Sequence, residues 1–538
     1  MGMFLNSATP YALYESEWRK PYFVDKSLLL EELMPLAETG NSHICITRPR
    51  RFGKTVMANM VGAYFGRGAD AETLFSSLKI AERDGYRKHL NRYDVIYIDC
   101  SRMPRNCISY TQYIERIETI LIHDLQEAYP EAGIREEDTV WDCLDLIFER
   151  CQRQRFVFIL DEWDCIFHRD FVTEEDKRNY LSFLGNLLKD KAYVSFTYMT
   201  GILPIAKYSS GSELNMFLEY TMAGEEKFSD AFGFTETEVD MLYARFLKNT
   251  EDPLVSRDGL KEWYDGYHTK SGERMYNPRS VVAALTNNNL GNYWTSSGPY
   301  DEISYYINQN ISGVRDDLAL MVSGEAVPVK VREYAATSMK LTGREEIFSA
   351  MVVYGFLSCE NGMVRIPNRE LMERFDELLQ KEPGLGYVYQ LAKESGRMLD
   401  ATLRKDTAVM EQILEFAHNT EIPLLSYNHE TELSAIVNLV YLAARDWYRV
   451  EREDKAGKGY VDFIFYPIRE ADDAIILELK VDHTPEEAIT QIKEKQYGLR
   501  LMGKLGQDRP YKGRILAVGI GYDKESKKHH CKVEELNI

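Results

Sequence analysis

Four short apolar runs, separated by segments with helical spacing, limit what the amino-terminal part of this chain can fold into. They are His43–Thr47 (HICIT), Asp94–Asp99 (DVIYID), Phe156–Asp161 (FVFILD) and Tyr193–Thr200 (YVSFTYMT). Runs that are apolar throughout, rather than alternating, suit strands buried on both faces, which implies a parallel sheet covered by helices. Tyr110–Tyr129 and Asp138–Arg150 supply helices between them, with apolar residues recurring at helical spacing.

The first run leads into RPRRFGKT and then VMANMVGAYF. A strand, a Gly-Lys-Thr and a helix together make a phosphate loop. Backbone N–H groups at the helix start hold the β-phosphate, Lys54 reaches the β- and γ-phosphates, and Thr55 offers its hydroxyl to Mg²⁺. The usual pattern begins with glycine, where this chain has Arg48 followed by Pro49, so the backbone must take another path. Arg48, Arg50 and Arg51 either cover the phosphates as bidentate ligands or hold acidic neighbours.

FVFILDEWD supplies the second half of such a site. Asp161 is placed to hold Mg²⁺, directly or through water, and Glu162 to polarise the attacking water. DVIYID lies between loop and acid strand in sequence, an insertion that marks the P-loop branch carrying a catalytic glutamate. The next strand ends in Thr200, where that branch keeps a polar residue sensing the γ-phosphate. The nucleotide expected is ATP.

The 538 residues exceed one core and suggest roughly three or four domains, and 44% hydrophobic content is ample to pack them. No apolar run approaches about 18 residues, so no membrane span is expected, and the amino terminus lacks the pattern of a secretory leader. Eight cysteines without any CxxC fit reduced thiols in a cytoplasm. His529-His530-Cys531 reads as a solvated strand rather than a zinc site, because adjacent residues rarely converge on one ion. A net charge of −20 argues against a non-specific coat for duplex nucleic acid, and leaves open an enzyme with a local basic patch.

A second constellation lies near the carboxyl end, in GKGYVDFIFYP and AIILELKVDH. Glu478 and Lys480 are two apart on one strand and so share a face. A hairpin brings Asp462 alongside. Two carboxylates with the Leu479 carbonyl make a hard oxygen site for Mg²⁺ or Mn²⁺, and Lys480 could position or deprotonate a water beside a scissile phosphate. The bland alternative is an ordinary set of acids and lysines on strand edges. A helix before the hairpin carries Glu430 and Glu432, of which Glu430 is the first choice to complete the metal shell. A helix after it carries Gln491, Lys495 and Tyr497. The basic run from Lys493 to Lys512 could contact a phosphate backbone.

The motifs FVDKS (Phe23–Ser27), RPRRFGKT, LDEWD, TGILPIAK, FGFTETEV, WYDGYH and YNPRSV resemble, in order and spacing, the bacterial and archaeal AAA-ATPase-like family. The resemblance implies that Arg48 in place of glycine is that family's own form, with Arg50, Arg51, Phe52, Gly53, Lys54 and Thr55 around the nucleotide. Trp163 stands where the family usually has tyrosine. The carboxyl-terminal order resembles the PD-(D/E)XK nuclease superfamily in the form fused to that ATPase, whose motif helix carries Q-I and a downstream lysine and tyrosine.

The expected fold is α/β: a P-loop ATPase domain at 1–230, a helical lid or winged-helix-like region at 231–368, a helical connector at 369–428 and a restriction-endonuclease-like domain at 429–538. The expected function is ATP binding and hydrolysis coupled to metal-dependent cleavage of DNA or RNA, with a family link to defence or mobile elements. The alternative is an ATP-gated binding module with an inactive nuclease fold. A homo-oligomer stays open, since arginine fingers cannot be singled out among 65 basic residues.

Overall fold

The four apolar runs form β1 (Ser42–Thr47), β2 (Asp94–Asp99), β3 (Phe156–Asp161) and β4 (Val194–Gly201). A fifth strand that the sequence did not reveal, β5 (Leu218–Tyr220), completes a parallel sheet in the order β2-β3-β4-β1-β5. Successive side chains enter opposite cores, which is why the runs lack alternation. Phe156, Phe158 and Leu160 pack with the helices Tyr110–Ala128, Val140–Arg150 and Glu174–Leu188, whereas Val157 and Ile159 pack with Leu29–Thr39 and Lys54–Phe65. DVIYID, inserted in sequence, lies at the sheet edge; the strand between loop strand and acid strand in space is β4.

The computed structural model describes residues 2–135, 137–205, 213–222, 224–294, 314–331, 343–381, 387–419, 430–456, 459–469, 472–498 and 513–536. The chain divides into two compact units, Met1–Gly298 with Pro328–Glu370, and Pro299–Val327 with Leu371–Ile538.

Within the first unit, Thr235 caps the helix Glu236–Asn249 in a reciprocal box with Glu238, as its T-x-x-E spacing predicts. WYDGYH ends one helix and opens a small hairpin of β6 (Tyr267–His268) and β7 (Arg274–Met275), which leads into the helix Pro278–Asn287. The short strands β8 (Val327–Pro328), β9 (Ser358–Glu360) and β10 (Met363–Arg365) follow.

The stretch from Glu370 to Asn419 is helical in three pieces, Arg369–Lys381, Tyr387–Arg404 and Thr407–Asn419. In the second unit β11 (Tyr448–Ala456), β12 (Gly459–Pro467), β13 (Ala474–Val481), β14 (Ile515–Asp523) and β15 (Lys528–Glu535) form a sheet in chain order. Only β13 and β14 are parallel in it, and the helix Pro485–Glu494 lies between them in sequence, as a parallel crossover requires. The helix that carries Glu430 and Glu432 stops at Val440, and β11 takes up the chain from Tyr448. YRVEREDKA carries no apolar alternation because it is an edge strand, held by backbone pairing to β12. Among the described residues no helix is long and apolar enough to cross a membrane.

Candidate functional site

The phosphate loop leaves β1 level with the end of β4, where Thr47 pairs with Gly201 and the Arg48 N–H donates to the Gly201 carbonyl at 3.2 Å. Gly53, at φ +89°, turns the chain into the helix that begins with Lys54. The Lys54 ammonium is 4% exposed. It donates to the carbonyls of Arg48 (3.1 Å) and Pro49 (3.2 Å) inside the curl of the loop, 3.8 Å from the Glu162 carboxylate. Thr55 is exposed beside the acid strand.

Asp161 ends β3 in full burial and accepts from the Thr200 hydroxyl at 2.5 Å, while its Oδ2 is buried without a hydrogen-bond partner. Burial pushes this carboxyl up to about 6; the Thr200 and Thr55 hydroxyls pull it back and the Glu162 charge adds to the push. An orphaned carboxylate oxygen beside a threonine hydroxyl fits a divalent cation bound there with nucleotide. Glu162 follows at φ +54°, a left-handed backbone that few non-glycine residues adopt, and it projects between Lys54 and solvent, 30% exposed. Such backbone outliers cluster at functional sites.

The arginines divide. Arg48 does not face the loop interior: it is buried, donating to the carbonyls of Thr47 and Tyr220. The idea that it covers phosphates is corrected by this geometry, since the guanidinium is buried with Nη1 spent on two carbonyls of the parallel sheet. Arg50 and Arg51 remain half-exposed at the loop. Burial, Arg279 and Arg50 all lower the Arg51 guanidinium, opposed by Glu162, so three arginines and one glutamate share this mouth. The Phe52 side chain points into the core, 1% exposed, leaving only its backbone for a ligand.

Sequence reasoning missed three residues here. Arg279, the second residue of the helix Pro278–Asn287, comes near the loop because Phe234 and Tyr276 bridge as antiparallel strands and Gly233 donates to the Phe52 carbonyl. The N-P start of that helix was legible, but not what it faced. Asp99 ends β2 level with Asp161. Asp164 is buried and accepts from the N–H groups of Ile202 (3.0 Å) and Leu203 (2.7 Å), tying the turn after the acid strand to the segment after Thr200. A Cβ on Gly201 would lie 2.4 Å from Trp163, so only glycine admits this approach.

In the second unit Asp462 on β12 and Glu478 and Lys480 on β13 converge. Asp462 accepts from the Leu479 N–H at 2.7 Å, and Glu478 accepts from the Lys480 ammonium at 3.2 Å and from the Gln491 amide. Glu478 is 3% exposed; burial and the adjacent Asp462 charge push its carboxyl up to about 7 against the pull of Lys480. Neighbouring carboxylates of which one resists ionisation are a donor set that a divalent cation would relieve. Tyr497 is buried with its hydroxyl 3.4 Å from the Gln491 amide, and Lys495 is exposed at the end of the crossover helix. Glu430 opens the helix Glu430–Val440, but its side chain, that of Glu432, and the basic run beyond residue 498 lie outside what the structure describes.

Residues 17–210 match the family described as predicted AAA-ATPase, and residues 430–529 match the PD-(D/E)XK nuclease superfamily. An uncharacterized protein of the vnfD 5' region of Azotobacter chroococcum mcd 1 is 28% identical over 282 residues, covering 52% of this chain and 51% of that protein. The chain thus matches about half the length of this curated relative. Among solved structures, a Walker-type ATPase of Pyrococcus abyssi is 11% identical, covering 65% of this chain and 94% of that one, with a TM-score of 0.35. The ORC2 protein of Aeropyrum pernix in its ADPNP and ADP complexes is 12% identical, covering 69% and 93%, with a TM-score of 0.29. The chain therefore joins, in one polypeptide, a domain of the AAA-ATPase-like family and a domain of the PD-(D/E)XK nuclease superfamily.

Proposed function

We propose that the chain binds and hydrolyses ATP and couples that cycle to metal-dependent cleavage of nucleic-acid phosphodiesters. The observation that carries the reading is the convergence of Asp462, Glu478 and Lys480, with Glu478 raised to about 7 by burial and a neighbouring charge. Lys54, Arg50, Arg51 and Arg279 neutralise the triphosphate, Thr55 and Asp161 are the residues that would hold Mg²⁺, and Glu162 accepts a proton from the attacking water. At the second site Asp462 and Glu478 would hold Mg²⁺ or Mn²⁺, which supplies Lewis-acid stabilisation of the scissile phosphate when bound. Lys480 orients the water and balances developing charge, while Gln491 fixes the Glu478 carboxylate. The cellular setting we favour is a cytoplasmic role in defence or mobile-element biology.

A second reading, an ATP-gated nucleic-acid-binding module, is favoured by one feature: Lys480 and Gln491 both occupy the same Glu478 oxygen. Labelled DNA and RNA incubated with and without ATP, and with Mg²⁺, Mn²⁺ or chelator, separate the two. Metal-dependent cleavage that Asp462→Ala removes supports the first; binding without cleavage under every condition supports the second.

A further inference from the structure

A phosphate loop without its first glycine must be held in shape by something else. The anchors arrive from other segments of the same unit. Arg48, 2% exposed, donates Nη1 to the Thr47 and Tyr220 carbonyls, both at 2.8 Å, and its guanidinium lies over the Phe232 ring at 5.0 Å. Phe52 packs edge-on against Tyr267, ring centroids 4.9 Å apart, and its carbonyl accepts from the Gly233 N–H at 3.4 Å. The Tyr267 hydroxyl donates to the Gly355 carbonyl at 2.9 Å. Gly355 in turn abuts the loop, since a Cβ there would lie 2.6 Å from the Pro49 Cβ. Between these anchors Arg51 is held at φ +73°, a conformation that a side chain disfavours and that persists only when its surroundings over-determine it. Behind the first half of the loop lies a cavity of about 180 Å³, lined in part by Arg48, Pro49, Tyr267 and Leu357, so an unanchored loop has room to retreat.

We infer that Arg48 and Tyr267 are positioning residues for the nucleotide: they impose from outside the loop the curvature that glycine permits from within, and so set ATP affinity without touching ATP. The inference rests on the nucleotide reading above. A loop that is already shaped does not have to be ordered on binding, and preorganisation of this kind appears as affinity. The arginine also answers to its own environment. Burial pushes its guanidinium down to about 10, and Nη2 has no hydrogen-bond partner, so what the residue gains at this position is the two carbonyls it holds rather than ease of solvation.

Arg48→Gly is the decisive variant, because it restores the usual G-x-x-x-x-G-K-T pattern. Titration of the full chain with a fluorescent ATP analogue and Mg²⁺, together with steady-state turnover, reads Kd, KM and kcat. Kd and KM should rise about tenfold or more, with kcat within about twofold of the parent, and nucleotide-free melting should fall by a few degrees at most for the two buried carbonyl bonds lost. Parent-like or tighter binding overturns the inference, as does a fall in kcat at constant KM, or a fall in melting temperature at constant KM. Tyr267→Phe, which keeps the ring and loses the hydroxyl with its bonds to Gly355 and Asn368, should move KM in the same direction by roughly two- to fivefold; an unchanged KM removes Tyr267 from the proposal. If Arg48→Gly does not fold, Arg48→Lys decides: it keeps the charge but not the forked donors or the planar stack, and a parent-like KM overturns the inference. A parent chain that fails to bind the analogue sinks the nucleotide reading itself, and this inference with it, before any variant is compared.

Discussion

Thr200→Val removes one hydroxyl and keeps the shape of the side chain. Thr200 and Asp161 are 0% and 1% exposed, and the bond between them is 2.5 Å long. Since Oδ2 has no hydrogen-bond partner, the variant leaves a buried carboxylate with only the Thr55 hydroxyl beside it. Hydrogen bonds to charged groups contribute about 1.5–3 kcal/mol, so a loss of about 2 kcal/mol is expected at pH 8, or roughly 4–8 °C in melting temperature. The pH dependence has a definite sign. The folded-state value of Asp161, about 6, lies above its ordinary 3.8. The group therefore contributes stability that is complete below about pH 4 and lost as pH rises through 6. Removing the Thr200 donor lifts the folded value further and enlarges that loss. The gap between parent and variant should accordingly be smaller at pH 5 than at pH 8. Urea melts in chelator at both pH values measure it. A gap under about 0.5 kcal/mol at pH 8, or one that is larger at pH 5, would refute the argument, since surface-like substitutions alone reach that size.

Lys54→Ala should lower ATP affinity by tenfold or more while circular dichroism stays that of the parent, on the order of one lost charged contact to phosphate; equal affinity in a titration would place the phosphates elsewhere. Glu162→Gln should leave Kd within about threefold and slow turnover by roughly a hundredfold, the usual scale of a general base, as read by phosphate release. Asp462→Ala should abolish Mn²⁺ binding by calorimetry and cleavage together, whereas Lys480→Ala should retain metal and lose most cleavage. Because Glu478 must give up a proton held at about 7 before it can ligate, Mn²⁺ affinity should rise between pH 6 and pH 8 with proton release; flat affinity over that range would mean that Glu478 is not a ligand.

What could be read from the sequence was whatever a local pattern dictates. Asp161, Glu162 and Thr200 sit at strand ends, and a strand end is marked by where an apolar run meets its first polar residue. Glu478 and Lys480 share a face because strand periodicity is two, and Thr235 caps a helix because a threonine three residues before a glutamate can do so. The direction of Arg48 was not legible: its acceptor on Tyr220 lies 172 residues away, on a strand of three residues that no periodicity reveals. Arg279 reaches the loop mouth only through the bridge of Phe234 to Tyr276. Gln491 finds Glu478 only because the crossover helix lies against β13 and β14. β11 escaped notice for the opposite reason, since a charged edge strand carries no apolar signal at all.

That charge has a consequence for how the protein behaves in a crowded solution. The sheet of the second unit has two margins, β11 and β15; the helix Thr407–Asn419 lies along β15, where the Cys531 N–H donates to the Glu411 carboxylate at 2.8 Å, whereas β11 pairs with a strand on one side only. β11 carries the pair Arg449 and Glu451 at 3.1 Å, while on β15 Lys532 and Glu534, 3.1 Å apart, also reach Glu486 and Lys493 of the crossover helix. Adding a strand at β11 would bury its ions against new backbone, which is strongly unfavourable. The same residues that hid β11 from sequence reading should thus oppose edge-to-edge pairing at that strand, and a variant with Arg449 and Glu451 both replaced by threonine or valine should gain sedimentation mass with concentration where the parent does not.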